Sequence, residues 1–457
     1  MCSLTLKNKI MVQKDLIIYN KQREMTQKYP FVSYNERIFV LKKLYQLIKK
    51  NEKEIIDVLF QDLGKHHYEA YFSEIGLVLH EIKHVIKNLK KWMKPKKVRT
   101  PFTLFGGKSF LIPQAYGQCL IISPWNYPFY LTLMPLISSI AAGNRNIVKT
   151  SEFTLATSSL LSNLINDQLQ SDMAYVMDHN VESIIQILEN KFDFVFFTGS
   201  EKTGTKIAQS IAKYHTPSVL ELGGKCPVII DNSVVLGKIV SRIMSAKLLN
   251  AGQTCIAPDY VCVPKGQGSK FKELCQKYIE ITLPNLDDFP KIITYNHYQR
   301  IKNYIAAHKS DIENECKIYP QVIDATWSDQ VMQDEIFGPV LPIIEYENID
   351  ELIDVINSKN QPLATYLFTK NNDLINKISQ KIKTGGLVVN DLLVQLVSNN
   401  LPFGGVGSSG NGRSHGFEGF KQFSNIISCY HRKRFALSLT EHPYTDFKEK
   451  IFRKIFK

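Results

Sequence analysis

The chain has 457 residues, of which 44% are apolar and 22% are charged. This composition predicts a globular protein with two or three lobes, because a single core rarely serves a chain this long, and it excludes a disordered chain. No apolar run approaches the roughly 18 residues needed to span a bilayer. The polar, lysine-rich segment 1–30 lacks the apolar core of a signal peptide. We therefore expect a cytoplasmic protein.

Lysine and arginine exceed aspartate and glutamate, 56 to 43, which gives a formal net charge of +13. The basic residues are spread along the whole chain and accompany no nucleic-acid-binding motif, so we interpret them as a solvated surface and expect no nucleic-acid partner. The eight cysteines form no C-x-x-C pair, and we expect no metal site. Most of them should be free thiols.

The first hundred residues predict helices that serve packing. Apolar residues follow helical spacing over 36–62, with Gly64 as a C-cap, and again over 71–92. From Gly117 onward, short apolar runs alternate with helical stretches. These runs lie at 119–122, 146–149, 194–197, 219–220, 228–230, 340–343, 364–368 and 386–390. Such alternation predicts an α/β protein with a parallel, doubly wound sheet.

A thiol and a carboxylate, each close to glycines, are the first candidates for chemistry. Cys255 follows Gly252 and precedes Pro258, a bend that can expose a thiolate nucleophile to a ligand. Glu221 ends an apolar strand before Gly223-Gly224, where a carboxylate in apolar company would have a raised pKa and could act as a general base. By themselves, a buried structural cysteine and an ordinary loop glutamate explain the same residues.

Three further positions follow predicted strands. Asn126 could donate its side-chain amide to a developing oxyanion, or be an ordinary turn residue. The glycine turn from Gly199 to Gly204 opens a helix, as a phosphate site would, but lacks the G-x-G-x-x-G spacing. Lys149 could contact a ribose or a phosphate. Each of these signals is weak alone.

Together the motifs resemble the aldehyde dehydrogenase superfamily, and most closely its class 3 branch. The resemblance covers roughly residues 30–434. It is carried in order by 124–128 (PWNYP), 142–144, 149–152, 197–200, 221–225 (ELGGK), 252–260 (GQTCIAPDY), 335–339 (EIFGP) and 401–407.

The resemblance implies a division of roles for these residues. Cys255 would attack the aldehyde, Asn126 would hold the oxyanion, and Glu221 would activate water for release of the acid. The cofactor would be NAD or NADP. Its contacts would come from Lys149, Glu152, Thr198, Gly199, Ser200, Gly204, Glu335 and Phe337. Tyr127 and Phe403 would line the aldehyde tunnel.

The resemblance also implies an architecture and a homodimer. A Rossmann-like cofactor domain would comprise 1–92 and 110–217, and a catalytic α/β domain 218–393. A small bridging β element would comprise 93–109 and 394–434. Two departures from the family pattern lie beside the cofactor site: Thr150 replaces a proline, and 177–180 replaces glycines. The choice between NAD and NADP therefore stays open.

Two alternatives to aldehyde oxidation remain at this stage. An acylating or semialdehyde dehydrogenase on the same scaffold would let coenzyme A or phosphate intercept the thioester, but the presence of Glu221 argues against it. A non-catalytic binding protein is disfavoured by the intact Cys255, Asn126 and Glu221. The predicted function is thus NAD(P)-dependent oxidation of a medium- or long-chain aliphatic or aromatic aldehyde to its acid.

The segment 435–457 predicts a basic amphipathic tail. Phe447, Ile451 and Ile455 share one helical face, and lysines and an arginine surround them. Such a helix could bind an anionic membrane peripherally, could dock on a partner subunit, or could fray.

Overall fold

The computed structural model describes residues 2–432 and 439–456, with the side chains of residues 2–12 and of Thr103 left undescribed. Its α-helices are α1 Cys2–Lys28, α2 Tyr34–Lys50, α3 Glu52–Leu63, α4 His67–Ala70, α5 Gly76–Trp92, α6 Tyr130–Ala142, α7 Leu155–Ser162, α8 Val181–Ile187, α9 Glu201–Ala212, α10 Val240–Leu248, α11 Gly268–Thr282, α12 Tyr295–Lys302, α13 Ile349–Ser358, α14 Asn372–Lys381, α15 Gly416–Gln422 and α16 Asp446–Ile455. Its strands are β1 Lys96–Val98, β2 Gly107–Ala115, β3 Gln118–Ile122, β4 Arg145–Lys149, β5 Ala174–Val176, β6 Phe194–Thr198, β7 Ser218–Glu221, β8 Pro227–Ile230, β9 Tyr260–Pro264, β10 Gln321–Asp324, β11 Val340–Tyr346, β12 Ala364–Phe368, β13 Gly386–Val389, β14 Gly410–Asn411 and β15 Ser424–Arg432.

Two six-stranded sheets form the centres of the two larger lobes. The first has the order β14-β7-β6-β3-β4-β5, and its strands are parallel except for β14, which runs antiparallel to β7. The second has the order β10-β11-β9-β8-β12-β13 and is parallel throughout. Strands β3, β4, β8, β9 and β12 are buried along their whole length. This burial agrees with the nearly continuous apolar sequences of β3, β8, β9 and β12, whereas β4 also buries the polar residues Arg145, Asn146 and Lys149. The prediction of an α/β protein built on parallel sheets is confirmed.

A third, antiparallel sheet has the order β1-β2-β15. Its strands coincide only in part with the segments that the sequence assigned to a bridging element. The boundary between 109 and 110 cuts β2, which pairs with β15 over its full length. The boundary between 217 and 218 separates β7 from the first sheet, to which it belongs. Strand β14, assigned by sequence to the bridging element, also pairs with β7 in the first sheet.

The helices differ from the sequence reading in three places. The stretch 36–62 is two helices, because Asn51 ends α2 and begins α3. The stretch 71–92 begins as a π-helical turn, Tyr71–Ile75, before α5. The N-terminal segment forms α1, which was not predicted; its Tyr19 hydroxyl donates to the Lys191 carbonyl (2.7 Å) beside the first sheet.

The tail contains α16, capped by the Thr445 side chain, in agreement with the predicted amphipathic helix. Positions 435–438 and 457 of the predicted tail lie outside the described residues. Within residues 2–432 and 439–456, no helix combines the length and hydrophobicity that crossing a membrane requires.

Candidate active site

The carboxyl edge of the first sheet provides a crevice at a change of strand order. Strand β3 lies between β4 and β6, so the chain winds to one side through β4 and β5 and to the other through β6 and β7. Ligands of open α/β sheets bind outside the strand ends at such a switch point. The segments that leave β3 and β6 there begin at Ser123 and Gly199.

Glu221 ends β7 at this edge. It lies opposite Thr198 in the parallel register, and its carbonyl accepts a hydrogen bond from the Gly199 amide (3.0 Å). The side chain is 5% exposed, and neither carboxyl oxygen has a hydrogen-bond partner among the described residues. Burial raises the pKa of Glu221 well above its ordinary value, although the nearby Arg413 guanidinium and Ser414 hydroxyl lower it in part. An unpaired buried carboxyl of this kind is suited to take up a proton.

Cys255 lies on the loop that follows α10. Asn250 and Ala251 have left-handed backbone angles (φ 50° and 53°), and Gly252 has φ 76°. A Cβ atom on Gly252 would stand 2.3 Å from the Gly338 carbonyl oxygen, so this position requires glycine. The half-buried Cys255 thiol is therefore presented by a tight, strained turn, as the sequence suggested.

Burial, followed by the charges of Glu335 and Glu221, raises the pKa of the Cys255 thiol, and the backbone amides of Cys255 and Ile256 offset this in part. Glu335 lies beside Gly223, two residues after Glu221, since a Cβ atom at Gly223 would stand 2.1 Å from Glu335 Oε2. A thiol with a raised pKa is protonated at neutral pH, so it must give up its proton when it attacks.

Asn126 connects the crevice to the loop that carries Cys255. It is 4% exposed, and its side-chain amide donates to the Gln253 carbonyl, two residues before Cys255, at 3.0 Å. This is its single side-chain hydrogen bond to the described residues, so the second amide N–H is available to a ligand.

The predicted cofactor residues lie along the same sheet edge. Ser200 caps α9, and its hydroxyl accepts from the Thr203 amide. Gly204 lets α9 approach the sheet, since a Cβ atom there would be 2.6 Å from Leu222 Cδ2. At the end of β4, Lys149 forms an ion pair with Glu152.

Glu335 and Phe337 approach from the second lobe. Burial raises the pKa of Glu335 to about 8, with Asp259 adding to the effect and the Gly224 amide and Lys225 opposing it. Phe337 has φ 50° and makes an edge-on contact with Trp125, at a centroid distance of 5.4 Å. The loop before Asn126 and the segment after Glu335 thus meet at the crevice.

The two predicted tunnel residues have different surroundings. Tyr127 is 6% exposed, and its hydroxyl is 2.6 Å from the Thr254 hydroxyl, next to the nucleophile. Phe403 packs edge-on against His415 and lies against the same core cluster as Cys255 and Leu393. A separate pocket of about 370 Å³ has walls formed by Phe72, Ser241, Arg242, Ser245, Ala246, Leu249 and 391–393.

Sequence reasoning missed several charged residues around the site. Lys65 and Glu74 form a fully buried ion pair (2.5 Å), and Lys65 also donates to the Asn126 carbonyl. Glu81, equally buried, accepts from the Gly416 amide. A signal was present, because Glu74 and Glu81 share the helical face of Val78 and Ile82, which is apolar throughout except for these two residues.

The crevice fits a dinucleotide cofactor. The hydroxyls of Ser123 and Thr150, where the chain leaves β3 and β4, are buried without a hydrogen-bond partner among the described residues. Two unpaired donors, the capped N-terminus of α9 and the Lys149–Glu152 pair are the groups that a ribose and a pyrophosphate require.

Comparison with known proteins places this fold and site in one family. The family model described as "Aldehyde dehydrogenase family" matches residues 17–428. The chain is 37% identical over 429 residues to 4,4'-diaponeurosporen-aldehyde dehydrogenase of Staphylococcus aureus, covering 91% of this chain and 94% of the relative. It is 38% identical over 426 residues to aldehyde dehydrogenase family 3 member H1 of Arabidopsis thaliana, covering 90% and 88%.

A solved structure, the substrate-bound state of Staphylococcus aureus AldH, superposes with a TM-score of 0.92 at 36% identity, covering 96% of this chain and 99% of that one. The class 3 resemblance inferred from the motifs is thus confirmed. The chain belongs to the aldehyde dehydrogenase family, has the fold that the resemblance implied, and is an NAD(P)-dependent aldehyde dehydrogenase.

Proposed function

We propose that Cys255 is the nucleophile of this enzyme, with Asn126 as oxyanion donor and Glu221 as the base for deacylation. The observation that supports these roles best is the convergence of the three side chains. The Asn126 side-chain amide donates a hydrogen bond to the Gln253 carbonyl (3.0 Å), and the charges of Glu335 and Glu221 raise the pKa of the Cys255 thiol.

In the first step the Cys255 sulfur bonds to the aldehyde carbon and the thiol proton leaves. Glu221 and Glu335 are the carboxyl groups whose charges act on the Cys255 thiol, and their raised pKa values suit them to accept that proton. The carbonyl oxygen becomes an alkoxide, which the free Asn126 N–H and the Cys255 backbone N–H stabilise. The product of this step is a thiohemiacetal on Cys255.

When bound, NAD(P) supplies the acceptor for the hydride that the aldehyde carbon loses. The sequence-assigned residues Lys149, Glu152, Thr198, Gly199, Ser200, Gly204, Glu335 and Phe337 would hold it along the carboxyl edge. A thioester then remains on Cys255. Glu221 removes a proton from water, the hydroxide adds to the thioester carbon, and the carboxylic acid leaves with return of the thiol.

The substrate is proposed to be a medium- or long-chain aliphatic or aromatic aldehyde. A pocket between the α10 region and residues 391–393 presents apolar walls from Phe72, Leu249, Leu392 and Leu393, with Arg242 and Asp391 beside them. Tyr127 and Phe403 are proposed to guide the chain toward the sulfur. The relative from Staphylococcus aureus, named for 4,4'-diaponeurosporen-aldehyde, supports a large substrate.

The central test is NADH formation from decanal by the wild type and by Cys255→Ser. Turnover should be present in the wild type and should fall by at least ~10³-fold in the variant, because the hydroxyl is a far weaker nucleophile than a thiolate. Cys262→Ser is the matched control, since Cys262 is a buried thiol on β9. Undiminished turnover in Cys255→Ser would refute the assignment.

A homodimer is proposed to form through the bridging sheet. Strand β15 is a nine-residue edge strand with exposed Ile426, Ile427 and Tyr430, and an edge of this length is a template for pairing with another chain. The molecular mass from light scattering should be twice 52.3 kDa and should fall in Ile427→Lys. A monomeric wild type would exclude the dimer.

A cytoplasmic enzyme with peripheral membrane contact through α16 is also proposed. Phe447 and Phe456 are 73% and 68% exposed, and α16 lies beside the turn Phe102–Leu104, whose Phe102 is 65% exposed. The sequence from 83 to 108 contains no acidic residue. Aromatic side chains surrounded by cations suit an anionic lipid surface. Pelleting with phosphatidylglycerol vesicles should exceed that of a chain truncated after Lys433, and equal pelleting would exclude the contact.

A further inference from the structure

A fully buried ion pair lies behind the proposed oxyanion site. Lys65, just after α3, and Glu74, in the π-helical turn, are both 0% exposed, with Nζ and Oε1 2.5 Å apart. Removing two charges from water has a large desolvation cost, so such a pair is weak evidence for stability. Its contacts instead indicate what it holds in place.

The Lys65 ammonium uses all three of its donor directions. One is the bond to Glu74, and a second is the bond to the Asn126 carbonyl (2.9 Å). The third direction faces the Tyr127 ring, with Nζ 3.9 Å from the ring centroid. Two of these three partners are consecutive residues of the loop that carries the proposed oxyanion donor.

Glu74 holds the other end of the same loop. Its Oε2 accepts hydrogen bonds from the backbone amides of Phe129 (2.9 Å) and Tyr130 (3.2 Å), at the start of α6. One ion pair therefore binds the backbone from Asn126 to Tyr130 at both ends.

The Asn126 side chain receives its orientation from this backbone and from the nucleophile loop. The Asn126 backbone carbonyl accepts a second bond from Asn250 Nδ2 (2.8 Å), and the Asn126 side-chain amide donates to the Gln253 backbone carbonyl. With the backbone fixed and one N–H engaged, the remaining N–H has a single direction. A misplacement of about 1 Å in such a group can cost about 10²-fold in rate.

We propose that Lys65 is a positioning residue that aims the Asn126 amide at the oxyanion. It contacts no reacting atom in this arrangement and acts through Asn126. The proposal rests on the role given to Asn126 above. It predicts that the effect of losing Lys65 depends on the presence of the Asn126 amide.

The test is a double-mutant cycle on single-turnover hydride transfer with decanal and NAD, followed by NADH fluorescence. Lys65→Met should slow this step roughly 10–100-fold while changing the KM for decanal less than about threefold, because the oxyanion forms only after binding. In an Asn126→Ala background, Lys65→Met should slow the step less than about threefold. Equal losses in the two backgrounds would overturn the proposal.

Two further variants keep the cycle decisive if Lys65→Met leaves Glu74 uncompensated and unfolds the chain. Lys65→Met/Glu74→Gln removes both charges at similar volume. Glu74→Gln alone keeps the ammonium but weakens its anchor, and it should show a smaller loss with the same dependence on Asn126. A loss that persists unchanged in the Asn126→Ala background overturns the proposal in either variant.

The same measurements separate this inference from the proposed function. A wild type that forms neither NADH nor NADPH from any aldehyde, or a Cys255→Ser variant with full turnover, refutes the proposed function. An active wild type with additive losses at Lys65 and Asn126 refutes only the positioning role.

Discussion

The proposed catalytic centre and the face formed by β15 and the turn Phe102–Leu104, here called the bridging face, differ from ordinary protein surfaces in opposite ways. In the centre, Glu221, Lys65 and Glu74 are charged groups that the fold removes from water. On the bridging face, Ile427 and Phe102 are large apolar groups that the fold leaves in water. Burial of a charge has a desolvation cost that packing does not offset, and an exposed apolar patch is typical of a surface that binds a partner. The first departure therefore indicates chemistry, and the second indicates association.

Glu221→Gln tests the buried side of this contrast and should have the largest effect. Glutamine fills the same space but cannot remove a proton from water, so steady-state turnover should fall about 10²–10⁴-fold. Hydride transfer should survive, because Glu335 remains to accept the thiol proton, and it should appear as a burst of NADH of one equivalent or less. The absence of a burst, together with the loss of turnover, would place Glu221 in the first chemical step instead.

The pH dependence of turnover provides a second test of Glu221 as the proposed base. Burial holds the Glu221 pKa well above its usual value, and the carboxylate is the active base. Wild-type turnover should therefore fall as the pH drops through that raised pKa. The residual turnover of Glu221→Gln should lack this acid limb, and a limb retained in the variant would assign it to another group such as Glu335.

His415 tests whether a buried titratable group affects stability as well. Its Nε2 is 2.5 Å from the Tyr130 hydroxyl, its Nδ1 is 3.0 Å from the Ser414 hydroxyl, and burial lowers its pKa to about 4. Between pH about 6.5 and about 4 the unfolded chain binds a proton that the folded chain does not. The stability that the neutral His415 side chain contributes is therefore fully present above pH about 6.5 and is lost as the pH falls to about 4.

The loss should amount to at most about 3 kcal/mol in the free energy of unfolding. Thermal unfolding midpoints measured from pH 4 to pH 7 should thus depend less on pH in His415→Gln than in the wild type. His431→Gln, at an exposed position of β15, is the control and should keep the wild-type slope. Parallel slopes in all three proteins would contradict the assignment.

Gly223→Ala tests the placement of Glu335 with a smaller effect. A Cβ atom at Gly223 would stand 2.1 Å from Glu335 Oε2, which must then move. If Glu335 holds the cofactor, loss of one charge-assisted hydrogen bond should raise the KM for NAD about tenfold or more. Gly237→Ala, where a Cβ atom meets nothing within 4 Å, is the control. An unchanged KM would remove Glu335 from the cofactor site.

The sequence predicted the elements whose signals are local. Apolar runs bounded by glycines predicted the strands. Glu221, Asn126 and Cys255 were predicted as site residues because their neighbours form motifs, and their roles stay predictions. Lys65 was not recognised, since a lone lysine after a helix resembles a solvated residue, and only packing against Tyr127 and Glu74 buries it. The N-terminal helix was missed because its polar sequence gives a weak helical period. The predicted domain boundary fell inside β2 because its partner β15 lies some 300 residues away in the chain. Pairing between such distant segments gives no signal in the local sequence.

The role of the exposed apolar residues can be tested at three phenylalanines with similar exposure. Phe447 on α16 and Phe102 on the adjacent turn are 73% and 65% exposed, and Phe39 on α2, the control, is 66% exposed. If the helix and the turn form one lipid-binding surface, Phe447→Ser and Phe102→Ser should each weaken binding to phosphatidylglycerol vesicles about fivefold, roughly 1 kcal/mol of partial apolar burial. Phe39→Ser should bind as the wild type does. Weakened dimerisation instead of weakened vesicle binding would show that the partner subunit covers this surface. The apolar groups would then be explained by the protein's own second copy, as proposed for β15.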